Sequence, residues 1–211
     1  MVFLRVKPHT GMTLPEMIVT LFLSSLLILS LAQIVSTQLV NTQRLNRRIY
    51  LQRQLLTVIQ MIRNDMRRAG YNMNTGHSAV FRQGNHVISL SLSADQMGYV
   101  YRLSPAGPGQ FRQVVFKLSE SEHVARLLLC EKSAAIPLTM AEAAQSDRQS
   151  PCFSVFDSEQ IRVDEFHVST TQTVRGKTTS RQVSVVLGVS LIDMPSMHES
   201  VHFSLTERNA L

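Results

Sequence analysis

The sequence predicts an α+β protein, with one long N-terminal α-helix packed on an antiparallel β-sheet head. Two observations carry that expectation. No proline or glycine interrupts residues 16–69, a stretch whose apolar residues follow helical spacing. From Ala79 onward the apolar residues instead recur at a period of two, with turn-forming clusters between the runs.

The helix begins with a run that is apolar from Met17 to Val35 except for Thr20, Ser24, Ser25, Ser30 and Gln33. Nineteen helical residues rise ~28 Å, close to the ~30 Å hydrocarbon core of a bilayer. The helical pattern then continues past the apolar run. Leu45, Ile49, Leu51, Leu55, Ile59, Ile62, Met66 and Ala69 recur every three or four residues through an Arg-rich background, which makes the continuation amphipathic. Arg67 and Arg68 form a basic last turn, and Gly70 can take the left-handed cap.

The head follows as a series of strands. Residues 86–92, 98–103 and 111–118 alternate, and the Ser104–Gln110 stretch between the latter two is a turn-rich hairpin loop. Residues 124–132 pair back on 111–118. Residues 133–151 read as a loop with one helical turn near Met140–Ala144. Three further strands are expected at 160–174, 181–194 and 199–207, with turns at 175–180 and 195–198. One long helix followed by antiparallel strands makes a helix-on-sheet layer structure.

Cys130 and Cys152, the only cysteines, bracket the 133–151 loop. In an exported chain such a pair reads as a disulfide; otherwise it reads as two buried thiols. The net charge of +6 is mildly basic and falls by two if Arg5 and Lys7 are removed with a leader. That balance does not argue for nucleic acid. No nucleophile elbow, phosphate-cradling glycine loop or Cys-x-x-Cys occurs. His198-Glu199-Ser200-Val201-His202 matches the zinc-protease pattern, but that chemistry needs a helix. Here Val201, Phe203 and Leu205 alternate with polar residues, and histidines four apart on a strand lie ~13 Å from each other. No metal and no cofactor is expected. Asp157, Glu159, Asp164 and Glu165 form the one acidic cluster, read as a solvated strand edge. Arg44, Arg47, Arg48 and Arg53 are read by default as a solvated helix face, with anionic lipid headgroups or a neighbouring subunit's acids as the alternatives.

The N-terminus admits three readings. As a secretory signal peptide it has a basic start, an apolar stretch and a small-x-small site at Ser30-Leu31-Ala32, but a carboxylate opening the apolar stretch fits this poorly. As a signal anchor, Thr13 and Glu16 form a capping box around Pro15. The third reading rests on "KPHTGMTLPE": a short basic leader, Gly11, an apolar residue, then Thr-Leu-x-Glu running into the span. This stretch resembles the processing signal of type IV prepilins and type II secretion pseudopilins. Met12 and Pro15 depart from the commonest residues of that signal, while Gly11 and Glu16 match it. "RNDMRRAGYNM" (63–73) resembles the end of the long helix in the PilW and type II secretion J-protein branch. With the chain's size and late cysteine pair, the sequence is most similar to the prepilin peptidase-dependent protein B kind.

The resemblance implies a minor pilin or pseudopilin, not an enzyme. Residues 1–11 would be the leader, 12–36 the transmembrane and assembly segment, 37–70 the amphipathic continuation and 71–211 a periplasmic head. A prepilin peptidase would cut between Gly11 and Met12 and methylate Met12. The amine so created would meet Glu16 of a neighbouring subunit, which gives an otherwise costly intramembrane charge a counter-ion. Glu16, Thr20 and Ser24 fall four residues apart and, with Thr13, form the expected assembly residues; their hydroxyls bond either neighbouring helices or their own backbone. The implied partners are the peptidase, other minor pilins, the major pilin and an inner-membrane assembly platform, with a place at or near a fibre tip. The positive-inside rule by itself favours the opposite orientation, since four arginines follow the span; the cysteine pair and the leader ask for an external head. A DNA-uptake pilus component and a signal-anchored periplasmic enzyme are the rival functions.

Overall fold

The computed structural model describes residues 11, 13–73, 76–107, 109–121, 124–175 and 178–207. The order of elements is α1 (Leu14–Met66), β1 (Ile88–Leu90), β2 (Gln96–Arg102), β3 (Phe111–Ser121), β4 (Val124–Ala134), α2 (Met140–Ala143), β5 (Phe153–Ser154), β6 (Ile161–Arg175), β7 (Thr178–Leu191) and β8 (His198–Thr206). The expected α+β, pilin-like architecture is what forms. Two compact units divide the chain, Met1–Arg47 and Arg48–Leu211.

In the first unit every described side chain is exposed. Leu45, expected on the apolar face, is bare, 56% exposed among the described residues.

In the second unit α1 buries Leu51, Leu55, Val58, Ile59, Ile62 and Met66, the i, i+3, i+4, i+7 stripe of an amphipathic helix. The helix stops at Met66, three residues before the expected end. Gly70 adopts φ 76°, a conformation that is cheap for glycine, and its N–H bonds Val100 O at 2.8 Å.

Two antiparallel sheets follow, in the orders β1-β2-β3-β4-β5 and β6-β7-β8. The β8 strand runs beside α1: Arg48 and Gln52 bond Glu199 at 2.8 and 3.1 Å, and Arg63 lies over the Phe203 ring. The main core joins α1 to both sheets through Tyr99, Phe116, Leu127, Val185, Leu187 and their neighbours. A smaller core of Ala79, Phe81, Val100, Val115, Cys130, Ala143 and Ala144 lies where the Cys130–Cys152 disulfide ties residues 131–151 down. Gly98 makes room for it, since a Cβ there would stand 3.0 Å from the Phe81 ring.

Several boundaries differ from expectation, each for a physical reason. The first strand is only three residues long because the chain turns at Ser91–Asp95, where the Asp95 carboxylate accepts from the Ser91 and Ser93 hydroxyls. Pairing continues through Thr178–Ser180 (Thr179↔Val174, Ser180↔Thr173), which the composition marks as a turn; β-branched threonines hold a polar ribbon extended. His198, read as part of a turn, starts β8. The two-residue β5 pairs with Leu128 and Leu129 and is too short to leave a periodic signal. The helical turn within 133–151 is α2, capped by Thr139: its hydroxyl accepts the Glu142 N–H at 3.2 Å, and its own N–H donates to the Glu142 carboxylate at 2.8 Å.

Candidate processing and assembly segment

Gly11 is exposed, and a Cβ there would have no atom within 4 Å. The peptide bond that follows leads to Met12, which lies outside the described residues, as do residues 1–10 of the expected leader. Thr13 opens the helix: its carbonyl accepts the N–H groups of Glu16 and Met17 at 3.0 and 3.2 Å. The Glu16 carboxylate reaches back to the Thr13 N–H at 3.5 Å. One half of the capping box is thus formed, placing a negative charge beside unpaired helical N–H groups where the dipole favours it.

Along the same face, the Thr20 hydroxyl donates to Met17 O at 2.9 Å and the Ser24 hydroxyl to Thr20 O at 2.7 Å. Ser25 and Ser30 bond Phe22 O and Leu27 O in the same manner. Within the single chain, therefore, these hydroxyls satisfy themselves on the backbone, and what they present outward is small size rather than free donors. Around them Leu21, Phe22, Leu26, Leu27 and Ile28 are all exposed. The apolar window has a mean hydropathy of 2.4 with none of it buried, which fits a membrane anchor. Glu16 stands just before the apolar run, in the first turn of α1.

In the head, the His-Glu-x-x-His stretch lies on β8 with His198 and His202 exposed. Glu199 is engaged by Arg48 and Gln52, so the helical geometry of the zinc pattern does not form. Arg48 stays mostly exposed, as expected of a solvated helix face, while its guanidinium also pairs with Glu199 where the helix and β8 run side by side. Among the described residues, no three His, Cys, Asp or Glu side chains converge to hold a metal. Of the acidic cluster, Asp164 sits at the β6 irregularity between Val163 and Glu165, accepting from Arg162 and Ser190 at 2.9 Å each. Asp157, Glu159 and Glu165 are exposed.

Sequence reasoning missed two polar anchors. The Asp65 carboxylate accepts the Tyr99 and Tyr101 hydroxyls at 2.7 and 3.2 Å. Burial, then the Asp65 charge, push the Tyr99 phenol well above its ordinary range, and both raise Tyr101. A lone acid flanking the buried face of an Arg-rich helix was the available signal. The second anchor is Glu207, nearly buried, which accepts Arg181 at 3.1 Å and the Ile88 N–H at 3.3 Å while Arg181 donates to Ile88 O at 2.9 Å. Two side chains thereby serve the free edge of β1 as a neighbouring strand would. Burial raises the Glu207 carboxyl against the pull of Arg181.

With this geometry in hand, one comparison is informative. A family model described as prepilin peptidase-dependent protein B matches residues 44–206, which takes in the end of α1 and all eight strands and leaves residues 1–43 outside. None of the curated proteins matches, nor does any solved structure.

Proposed function

This chain belongs to the prepilin peptidase-dependent protein B family, and from that premise we propose that it is a minor pilin or pseudopilin, a non-enzymatic subunit that primes a type IV pilus or type II secretion pseudopilus. A prepilin peptidase cuts between Gly11 and Met12 and methylates Met12. Before assembly the N-terminal helix holds the subunit in the inner membrane, with the head in the periplasm. On entering the fibre, the Met12 amine meets Glu16 of a neighbouring subunit.

The observation that supports this reading most is the conjunction at the start of α1. A single carboxylate opens a bare apolar helix, two residues into the helix and five beyond an exposed glycine. Alone in lipid such a charge costs ~3 kcal/mol on insertion scales. Among the described residues its side-chain hydrogen-bond partner is the Thr13 N–H. A cationic terminus on a sister molecule supplies the missing partner, and cleavage is what creates that cation.

Mass spectrometry of the native N-terminus tests the proposal. The expected species begins at N-methylated Met12. A chain beginning at Met1 is an uncut anchor, and one beginning at Gln33 a cleaved signal peptide; either overturns it.

A further inference from the structure

At β1 the edge of the five-stranded sheet is closed by side chains instead of a strand. The Ser91 N–H bonds Gln96 O at 3.0 Å, and bonded and non-bonded pairs alternate along an antiparallel ladder. Ile88↔Tyr99 and Leu90↔Met97 are therefore the non-bonded pairs, whose N–H and C=O groups point away from β2. At Ile88 both groups are covered. The Glu207 carboxylate accepts the Ile88 N–H at 3.3 Å, Arg181 donates to the Ile88 carbonyl at 2.9 Å, and the two side chains pair at 3.1 Å. Arg181 lies on β7 and Glu207 follows β8, so both come from the other sheet. Their side chains are only 11% and 2% exposed. Among the described residues no group covers the Leu90 N–H or C=O.

We infer that Arg181 and Glu207 form a latch that keeps β1 from pairing with β1 of a second copy of this chain. The inference rests on the fold alone and stands apart from the proposed function. The edge is self-complementary. About a two-fold axis, Ile88 of each copy would face Leu90 of the other, and each residue brings one donor and one acceptor. Within Ile88-Ser89-Leu90 there is no charge, proline or irregularity of register, the devices that ordinarily blunt an edge. Every bonded pair of that ladder would contain an Ile88, so occupying this one residue abolishes all of them. Stability is a weaker account of the same pair. Desolvating two charges costs about as much as their attraction gains, and the better-attested use of a buried pair is to select one arrangement over another.

The test uses the full chain in detergent micelles, sedimented over a series of concentrations. Arg181→Ala combined with Glu207→Ala removes both charges together, leaves neither stranded, and opens Ile88 to solvent. This double variant should still unfold cooperatively and should self-associate about tenfold or more tightly than the unsubstituted protein. Hydrogen exchange at the Leu90 amide supplies a readout that a merely structural pair would not move. It should slow with rising concentration in the double variant and stay fast at every concentration in the unsubstituted protein. Adding Leu90→Pro should return the double variant to the association of the unsubstituted protein, because that N–H donates to nothing within the described chain and proline removes only the bond between copies. Three results overturn the inference: association no tighter than that of the unsubstituted protein, association that survives Leu90→Pro, and loss of cooperative unfolding in the double variant. The last would make Arg181 and Glu207 a staple of the fold.

Discussion

Asp65 and Tyr99 join the helix to β2 of the five-stranded sheet: the phenol of a fully buried tyrosine donates to a half-buried carboxylate across 2.7 Å. The same carboxylate also takes Tyr101. Removing the acid therefore costs more than removing one phenol. Tyr99→Phe deletes one hydrogen bond to a charged group, worth about 1.5–3 kcal/mol. Asp65→Ala leaves both phenols without an acceptor at or near the core, each an added loss of ~1–3 kcal/mol. Chemical denaturation of the two variants should rank them in that order, and equal stabilities would show that the helix docks through its apolar stripe alone.

That ranking could not have been anticipated from the sequence, whereas much of the fold could. Leu51, Leu55, Ile59, Ile62 and Met66 announce the buried helix face because a 3.6-residue period survives in one dimension. The alternation in 111–118 and 124–132 announces β3 and β4 for the same reason. Asp65–Tyr99, Arg48–Glu199 and Arg181–Glu207 are pairs between distant parts of the chain, which a period cannot encode. Thr178–Ser180 mislead because polarity and extended backbone are independent properties. The residues proposed for assembly, Glu16, Thr13, Thr20 and Ser24, are legible as a pattern, but whether their oxygens face their own backbone is a matter of rotamers, which no sequence period encodes.

The loop closed by the disulfide should respond to acid. Glu142 is held below its ordinary value first by the Thr139 N–H, then by the Thr139 hydroxyl and Arg82, and Asp147 by Lys132 and the Ser150 and Gln149 amides. For a carboxyl depressed in the folded state, the stabilisation is complete above its unfolded value and is lost as pH falls through the folded one. Stability should thus decline as pH drops below 4.5 for Glu142 and below 3.8 for Asp147. Glu207 runs the other way, its raised carboxyl giving up stability as pH climbs above 4.5. Melting temperature recorded against pH should be flatter on the acid side for Glu142→Gln than for the unsubstituted protein. Superimposable acid limbs would mean that the cap on α2 adds nothing.

Reduction of the disulfide tests how much the second core depends on covalent closure. Cys130 and Cys152 are 22 residues apart, and a loop of that length stabilises by about 3 kcal/mol in the chain-entropy account. For a protein of this size that corresponds to a melting temperature lower by ~6–12 °C. Hydrogen exchange should localise the loss to residues 131–151 and to the strand face they cover, with the α1 amides near Leu55 and Ile59 protected as before. Uniform loss of protection would instead make the disulfide part of one cooperative unit with the helix.

Glu16→Gln separates helix formation from assembly. Glutamine keeps the length and an oxygen that can accept the Thr13 N–H, so the start of α1 and its insertion should be preserved. The peptide bond after Gly11 is unaltered, and cleavage should continue. What disappears is the negative charge, and with it the attraction to a neighbouring Met12 amine. In lipid that attraction cannot be replaced by water. Fibre incorporation should fall by about tenfold or more, a change of ~1.4 kcal/mol or greater in the assembly equilibrium. Glu16→Asp, one methylene shorter, should recover part of it. Immunoblotting sheared fibres against the membrane fraction reads both variants directly. Wild-type incorporation of Glu16→Gln would mean that the acid serves the helix cap alone, because the cap is the one role that glutamine can still fill.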